Sequence, residues 1–352
     1  MLGGGEHSFF DLLCGLPERW IPIVSVAGDG LLVTRLRRRS IQVEMAKIPP
    51  IRPWRLVQVL VSIKSYCDFC IKHKVAVIYA NGSRAAFYGG LAGRILRIPV
   101  VWHCRITTKD PILDFMLLKI VNRIVANSKA TAKRFQAKHQ KKITIVYNGI
   151  PIRWFRQEQV GLPCEYKADW KTILLVARLS KSKGHNLAID AFERLAESDA
   201  KLHLVCVGEK DHHQSSWWDY LQKRSANSRF SERIHWLGAV KDVRPWYKVA
   251  RLMIFPSESE SFGRVLVEAM TCGVPVVATR GGGVPEIVRN DREGILVTQR
   301  EANALANAMI RVLNDDILKH RIIRAGRERA NLFDIGIHVR KMVGIFDELA
   351  AG

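Results

Sequence analysis

The chain has 352 residues, 48% of them hydrophobic and 25% charged, the balance of a globular protein long enough for two domains. No run approaches eighteen apolar residues, which excludes a membrane-spanning helix. No basic segment followed by an apolar one opens the chain, which argues against a secretory signal. Seven cysteines, odd in number and scattered, fit a reducing cytoplasm better than a disulfide framework. The net charge of +22 is lopsided: residues 1–150 hold 24 Lys and Arg against 8 Asp and Glu. So basic a first half implies a polyanionic partner: an anionic membrane face, a phosphorylated lipid or nucleic acid.

In chain order, the glycine-rich opening to His7 reads as a loop, and residues 8–16 as a helix with Phe9, Leu12, Leu13 and Leu16 on its apolar side. Residues 20–26 read as a strand, and 31–39 as a short helix whose Arg37, Arg38 and Arg39 can meet lipid phosphates or simply face water. After a proline-rich loop come an amphipathic helix over 55–72 and a strand over 75–80. A helix over 84–96 and a strand over 99–103 follow, the latter ending in His103. Cys67 and Cys70 form a C-x-x-C inside the amphipathic helix with no second pair nearby, so they read as packing residues rather than a redox or zinc site. Residues 112–125 give a helix running into a short strand, 129–139 a basic helix, and 143–150 the strand that closes a first domain over 1–150. Alternating strands and helices of these lengths make a doubly wound parallel sheet, which binds ligands at the carboxyl ends of its strands. His103 stands at such an end.

Residues 151–170 carry Pro151 and Pro163 without a clear period and read as a linker. A second domain over 171–330 opens with the strand 171–177 and the polar loop that holds Arg178 and Lys183. Strands over 202–208 and 234–238 follow, the second leading into Ala239 and Val240. His212, His213, Trp217 and Trp218 fall in a polar loop with no further ligands for a metal. The tail is amphipathic helix, and its last segment, 331–352, is expected to cross back onto the first domain.

The densest signal is the stretch 254–288, IFPSESESFGRVLVEAMTCGVPVVATRGGGVPEIV. It reads as strand, loop, helix, strand, glycine-rich loop and helix start, two successive junctions whose first helical N–H groups favour anions such as phosphate. Glu260 precedes the first helix and Glu268 lies about two turns along it, so both can face one crevice and accept hydrogen bonds from sugar hydroxyls.

With ESFGRVLVEAM, CGVPVVAT and GGVPEIV in sequence, the chain resembles the retaining glycosyltransferases of family 4, of GT-B fold: two Rossmann-like doubly wound domains facing a cleft. ANSKATAKRF and VYNGI resemble the family too, with Pro151 where aspartate is usual. The resemblance implies that Glu268 binds the nucleotide ribose and Glu260 the donor sugar, with Phe262, Gly263 and Val265 beside them. It also implies that Arg178 and Lys183 neutralise the donor diphosphate, that the backbone at Ala239 and Val240 reads the base, and that His103 lines the cleft. Gly4 and Gly5 match a turn facing the diphosphate. The family's first strand precedes that turn and none stands before it here, so that strand is expected to be missing.

A departing nucleoside diphosphate gains charge in the transition state, and two fixed cations stabilise it. The resemblance thus implies a metal-independent transfer from a UDP- or GDP-sugar to a glycan or lipid-linked acceptor in cell-surface polysaccharide or lipopolysaccharide synthesis. No Asp-x-Asp motif occurs, in keeping with that expectation. The basic first half then suggests an enzyme peripheral at the cytoplasmic face of the membrane. A nucleotide-sugar epimerase of related architecture is the alternative. Specific nucleic-acid binding has only the charge in its favour, since no zinc finger, helix-turn-helix or aromatic RNA-binding motif accompanies it.

Overall fold

The computed structural model describes residues 3–211 and 213–352. They form two compact units, one of residues up to Gly149 together with Ile335–Gly352, the other of Ile150–Asp334. The first contains α1 (Gly4–Cys14), β1 (Ile23–Val26), α2 (Leu31–Arg37), β2 (Gln42–Met45), α3 (Leu56–Lys72), β3 (Ile78–Asn81) and α4 (Ser83–Leu96). It continues with β4 (Val100–Cys104), α5 (Pro111–Ile120), β5 (Arg123–Ala126), α6 (Lys129–Ala132) and β6 (Ile143–Ile145). Strands β3 to β6 make a parallel sheet in sequence order, while β1 and β2 pair in parallel as a separate two-stranded sheet.

Local chemistry explains these elements. Every residue of β4, Val-Val-Trp-His-Cys, is buried, as a central parallel strand covered on both faces requires. Asp110 caps α5 by accepting from the Leu113 N–H at 3.1 Å, with Pro111 at the first helical position. Helix α1 starts at Gly4, four residues before the sequence reading places it. The Glu6 carboxylate accepts from the Gly3 N–H at 2.7 Å and puts negative charge in the first turn, which outweighs the glycines' reluctance. Gly4 and Gly5 are therefore helical and not a free turn. Strand β2 is a short element that the sequence does not announce, and α6 is one turn long, giving way to a 3-10 segment over Ala137–Lys142.

The second unit holds α7 (Ile152–Phe155), β7 (Lys171–Val176), α8 (His185–Ala196), β8 (Leu202–Val207), α9 (Ser215–Ala226), β9 (Ile234–Gly238) and α10 (Arg244–Val249). After these come β10 (Ala250–Phe255), α11 (Arg264–Thr271), β11 (Val276–Thr279), α12 (Val284–Ile287), β12 (Ile295–Val297), α13 (Ala302–Asn314) and α14 (Asp316–Ala330). Six parallel strands lie in the order β12-β11-β10-β7-β8-β9. The chain moves outward from β7 in one direction through β8 and β9, and from β10 in the other through β11 and β12. The topological switch point therefore lies between β7 and β10. Residues 151–170 are held to this unit and are not a loose linker. Ile152 and Phe155 are buried, and Trp170 stacks on His203 and His235 with centroids 4.2 and 4.3 Å away. Trp217 and Trp218 sit on α9, not in a loop, and His212 lies outside the described residues.

The last helix, α15 (Ile335–Ala351), belongs to the first unit. There Phe346 packs edge-on against Trp20, and Asp347 accepts from Trp20 Nε1 at 2.8 Å and from Arg19 Nη2 at 2.8 Å. Residues 331–334 stay with the second unit, so the tail is two helices separated by a short 3-10 turn. All seven cysteines are free: Cys14 and Cys164 are exposed, Cys272 is half-buried, and Cys67, Cys70, Cys104 and Cys206 are buried. Burial pushes Cys70 up to about 11 and raises Cys67, so neither is a ready thiolate and the C-x-x-C pair packs the inner face of α3.

A methyl group at Gly208 would overlap the carbonyl of Ala177, whereas one at Gly344 on α15 meets open space. Gly208→Ala should cost about 1–3 kcal/mol through overpacking, and Gly344→Ala should add about 0.5–1 kcal/mol by favouring helix. Urea unfolding of the two variants checks both signs.

Candidate active site

Of the residues singled out in the second unit, Lys183 and Glu260 are brought together at the switch point. The loops after β7 and β10 are joined there by backbone hydrogen bonds: Ser182 O accepts from the Glu258 N–H at 2.9 Å and from Ser257 Oγ at 3.2 Å. Gly184 completes the joint. It takes φ +68°, and a side chain at this position would run into the carbonyl of Pro256. The result is an ion pair between residues 77 positions apart, Lys183 Nζ donating to Glu260 Oε2 at 2.5 Å. Both side chains are about one-fifth exposed, so the pair is accessible to a ligand while partly shielded from water.

Behind Glu260 stands the glycine triplet. Its role differs from the free anion-binding turn that the sequence suggests, because Gly283 N–H donates to Glu260 O at 2.7 Å. Side chains at Gly281, Gly282 and Gly283 would collide with the backbone of Glu258, Glu260 and Ser261 respectively. The triplet is a close-packed bed under the loop that carries Glu260.

Glu268 is buried on α11 and is gripped on both oxygens: Arg264 Nε donates to Oε1 at 2.8 Å and the Tyr247 hydroxyl to Oε2 at 3.1 Å. Burial, then the Glu268 charge, pushes the Tyr247 hydroxyl well up, so it stays a donor. Neither Tyr247 nor Arg264 had a signal of its own in the sequence; both matter because they orient Glu268. The side chain of Phe262 turns inward against Phe333 at 5.6 Å, leaving its backbone as the part that serves the loop. Gly263 caps α11 in a left-handed conformation, and Val265 lies in the helix's first turn. Arg178 sits exposed at the end of β7 without a side-chain hydrogen bond or ion pair among the described residues. Ala239 and Val240 follow β9, beyond Gly238, whose carbonyl accepts from the Gly208 N–H at 2.8 Å.

The remaining candidates are in the first unit, around a residue that the sequence reading passed over. Arg105 donates to Asn81 Oδ1 at 2.7 Å, to Ser8 Oγ at 3.1 Å and to Asn148 Oδ1 at 2.5 Å. A Cβ on Gly5 would lie 3.3 Å from Arg105 Cδ, so α1 approaches the guanidinium closely through its glycine-bearing turn. Gly4 has no such neighbour within 4 Å. His103 lies within β4 and is fully buried, not displayed beyond the strand. Its Nδ1 contacts the Tyr79 hydroxyl at 2.6 Å and Arg105 Nη2 at 3.2 Å. Arginine only donates, so Nδ1 must be the acceptor and the ring proton resides on Nε2. That Nε2 is buried with no hydrogen-bond partner among the described residues. Burial foremost, then the Arg105 and His338 charges, holds the His103 pKa well below its usual value. His103 is thus a neutral hydrogen-bond donor rather than a proton shuttle. Its neighbour two positions on was the legible clue: a charged side chain at a strand's carboxyl end.

Among the described residues, His103, His235, His185 (lowered to about 3) and His203 (lowered to about 4) resist protonation, burial being the first cause in each. Between these values and the ~6.5 of an unfolded histidine, the unfolded chain binds protons that the native state refuses. Their stabilising contribution is full above about pH 6.5 and is lost as pH falls. Calorimetry should show the melting temperature dropping from pH 7 to pH 5, before the carboxylates titrate.

Known proteins match both halves of the chain. The family described as glycosyltransferase family 4 matches residues 2–154, and that described as glycosyl transferases group 1 matches residues 165–329. The N-acetyl-alpha-D-glucosaminyl L-malate synthase of Bacillus anthracis is 32% identical over 195 residues, 54% of this chain and 49% of that protein. The phosphatidyl-myo-inositol mannosyltransferase of Mycobacterium leprae is 29% identical over 236 residues, 66% of this chain and 60% of that one. The chain therefore spans about half to three-fifths of the length of these curated relatives. Among solved structures, Anabaena Alr3699/HepE in complex with UDP and glucose superposes with a TM-score of 0.84 at 25% identity, covering 98% of this chain and 96% of that one. A glycosyltransferase from Rickettsia africae gives a TM-score of 0.86 at 22% identity, over 99% and 96% of the two chains. Two Rossmann-like parallel-sheet units, the Lys183–Glu260 pair at the switch point and matches along both halves lead to one assignment: this chain belongs to the family 4 glycosyltransferases of GT-B fold.

Proposed function

We propose that the protein is a retaining glycosyltransferase that moves a sugar from a UDP- or GDP-sugar to a glycan or lipid-linked acceptor in cell-surface polysaccharide or lipopolysaccharide assembly. The carrying observation is the Lys183–Glu260 pair at the switch point of the second unit. In this reading the diphosphate competes with Glu260 for Lys183, and Arg178 supplies a second positive charge to the departing nucleoside diphosphate. Glu260, released in part, accepts hydrogen bonds from the donor sugar. Glu268, held by Arg264 and Tyr247, accepts from the ribose hydroxyls, since each carboxylate oxygen can take two hydrogen bonds. The backbone at Phe262, Gly263 and Val265, opening α11, faces the phosphates and sugar, and that at Ala239 and Val240 faces the base. In the first unit this reading keeps Gly4, Gly5 and His103 as site residues, His103 as an uncharged donor.

The countercharge comes from side chains and helix N-termini, so the proposed reaction needs no metal. The UDP bound by Alr3699/HepE and the lipid substrate class in the name of the mycobacterial relative support this choice of donor and acceptor. The basic first half supports attachment at the cytoplasmic face of an anionic membrane.

Lys183→Ala and Glu260→Ala should each lower transfer of radiolabelled sugar by about 10²–10³-fold, with unchanged circular dichroism; wild-type turnover in both would overturn the assignment. Glu268→Gln should raise the KM for the donor more than it lowers kcat. Treatment with EDTA should leave turnover unchanged. Thermal unfolding with UDP, GDP and ADP should show a selective rise with one of the first two. Product formation from donor alone, without acceptor, would instead support an epimerase.

A further inference from the structure

Helix α3 presents a face that the fold leaves uncovered. Its inner side, with Val59, Ile63, Cys67 and Cys70, is buried in the core of the first unit. Steps of three and four residues bring Val57, Leu60, Val61 and Lys64 together on the opposite side. Val57 is 75% exposed, Leu60 56% and Val61 63%, and the preceding turn exposes Trp54 at 74%. Apolar side chains lying singly on a surface need no explanation, but three within about one turn of helix, with Trp54 in the turn before them, form a patch. Nothing in the first unit's own packing requires it.

The charge around the patch has one sign. From Met45 to Cys67 there is no acidic residue, while Lys47, Arg52, Arg55 and Lys64 fall in the same stretch. Arg52 lies 5.3 Å from the Trp54 ring centroid, placing a guanidinium beside an exposed indole. Asp68, the single acidic residue of α3, is paired with Lys64 at 2.9 Å. An apolar stripe with tryptophan at one end and cations around it matches a bilayer interface: acyl chains take the stripe, and anionic headgroups take the rim.

We propose that the outer face of α3, from Trp54 to Lys64, inserts into an anionic lipid surface and docks the protein there. This rests on the membrane-surface reading above and assigns the contact to α3 rather than to the arginines that end α2. Helix α4 packs between α3 and α5, and α5 also exposes Ile112 and Phe115, with Lys119 Nζ 4.1 Å from the Phe115 ring centroid. The same side of the unit thus offers a second, smaller apolar and basic feature.

The test is co-flotation of the full chain with phosphatidylcholine vesicles, with and without phosphatidylglycerol, at low and high salt. The wild type should float with phosphatidylglycerol and keep part of its binding at high salt. Val57→Ser, Leu60→Ser and Val61→Ser combined should lower the partition coefficient on the order of tenfold or more. Replacing Arg37, Arg38 and Arg39 together by Ser should have a smaller effect. Equal flotation of the wild type and the triple α3 variant, with binding fully reversed by salt, would overturn insertion while leaving electrostatic attachment standing. Absence of flotation at low salt would overturn both readings. A self-association of the wild type that the α3 variant abolishes, without lipid binding, would show that a second copy covers the face. The α3 positions are exposed, and an unchanged melting temperature of the variant confirms that folding is not what the assay reads.

Discussion

The joint between the loops after β7 and β10 is the constraint on which the second unit's site depends. Two loops from strands on opposite sides of the topological switch are tied at Ser182, and Gly184 lets them meet without a side chain in the way. Lys183 and Glu260 face each other because their backbones are held together at this joint. The bed of Gly281–Gly283 presses on the same loop from behind. Conformational entropy is spent in folding rather than at the moment a ligand arrives, which is how a site acquires preorganisation.

Pairing a cation and an anion in advance has an energetic corollary. A lysine and a glutamate at one-fifth exposure are each partly stripped of water, and mutual attraction offsets that cost. An incoming anion that takes Lys183 must also provide for Glu260, which then needs donors of its own. A polyhydroxylated group joined to a phosphate meets both demands at once, whereas a bare phosphate meets only one. On the proposed function, the site would discriminate by chemical completeness as well as by charge.

Much of the second unit was legible in the sequence, and the first unit less so. Strands such as β7 and β10 announce themselves as apolar runs ending in loops, and Glu260 and Glu268 are marked by the surrounding glycines and prolines. Arg264 and Tyr247 were not, because orientation of a buried carboxylate has no sequence period: Tyr247 is 21 positions from Glu268. In the first unit, Gly3–Gly5 suggested a loop, and only the Glu6 carboxylate's return to Gly3 shows why the helix starts there. Arg105 gathers Ser8, Asn81 and Asn148 from three separate segments, which a linear reading cannot see. His103 was found, but its burial and its tautomer follow from the neighbours that the sequence did not supply.

The distribution of thiols has a practical side. Four cysteines are shut inside the packing and Cys272 is half-covered, but Cys14 on α1 and Cys164 before β7 are open to solvent. One belongs to each unit. The unmodified chain thus already carries two addressable handles for spin labels or fluorophores. The separation between them, followed with and without nucleotide, would report directly on any rearrangement of one unit against the other.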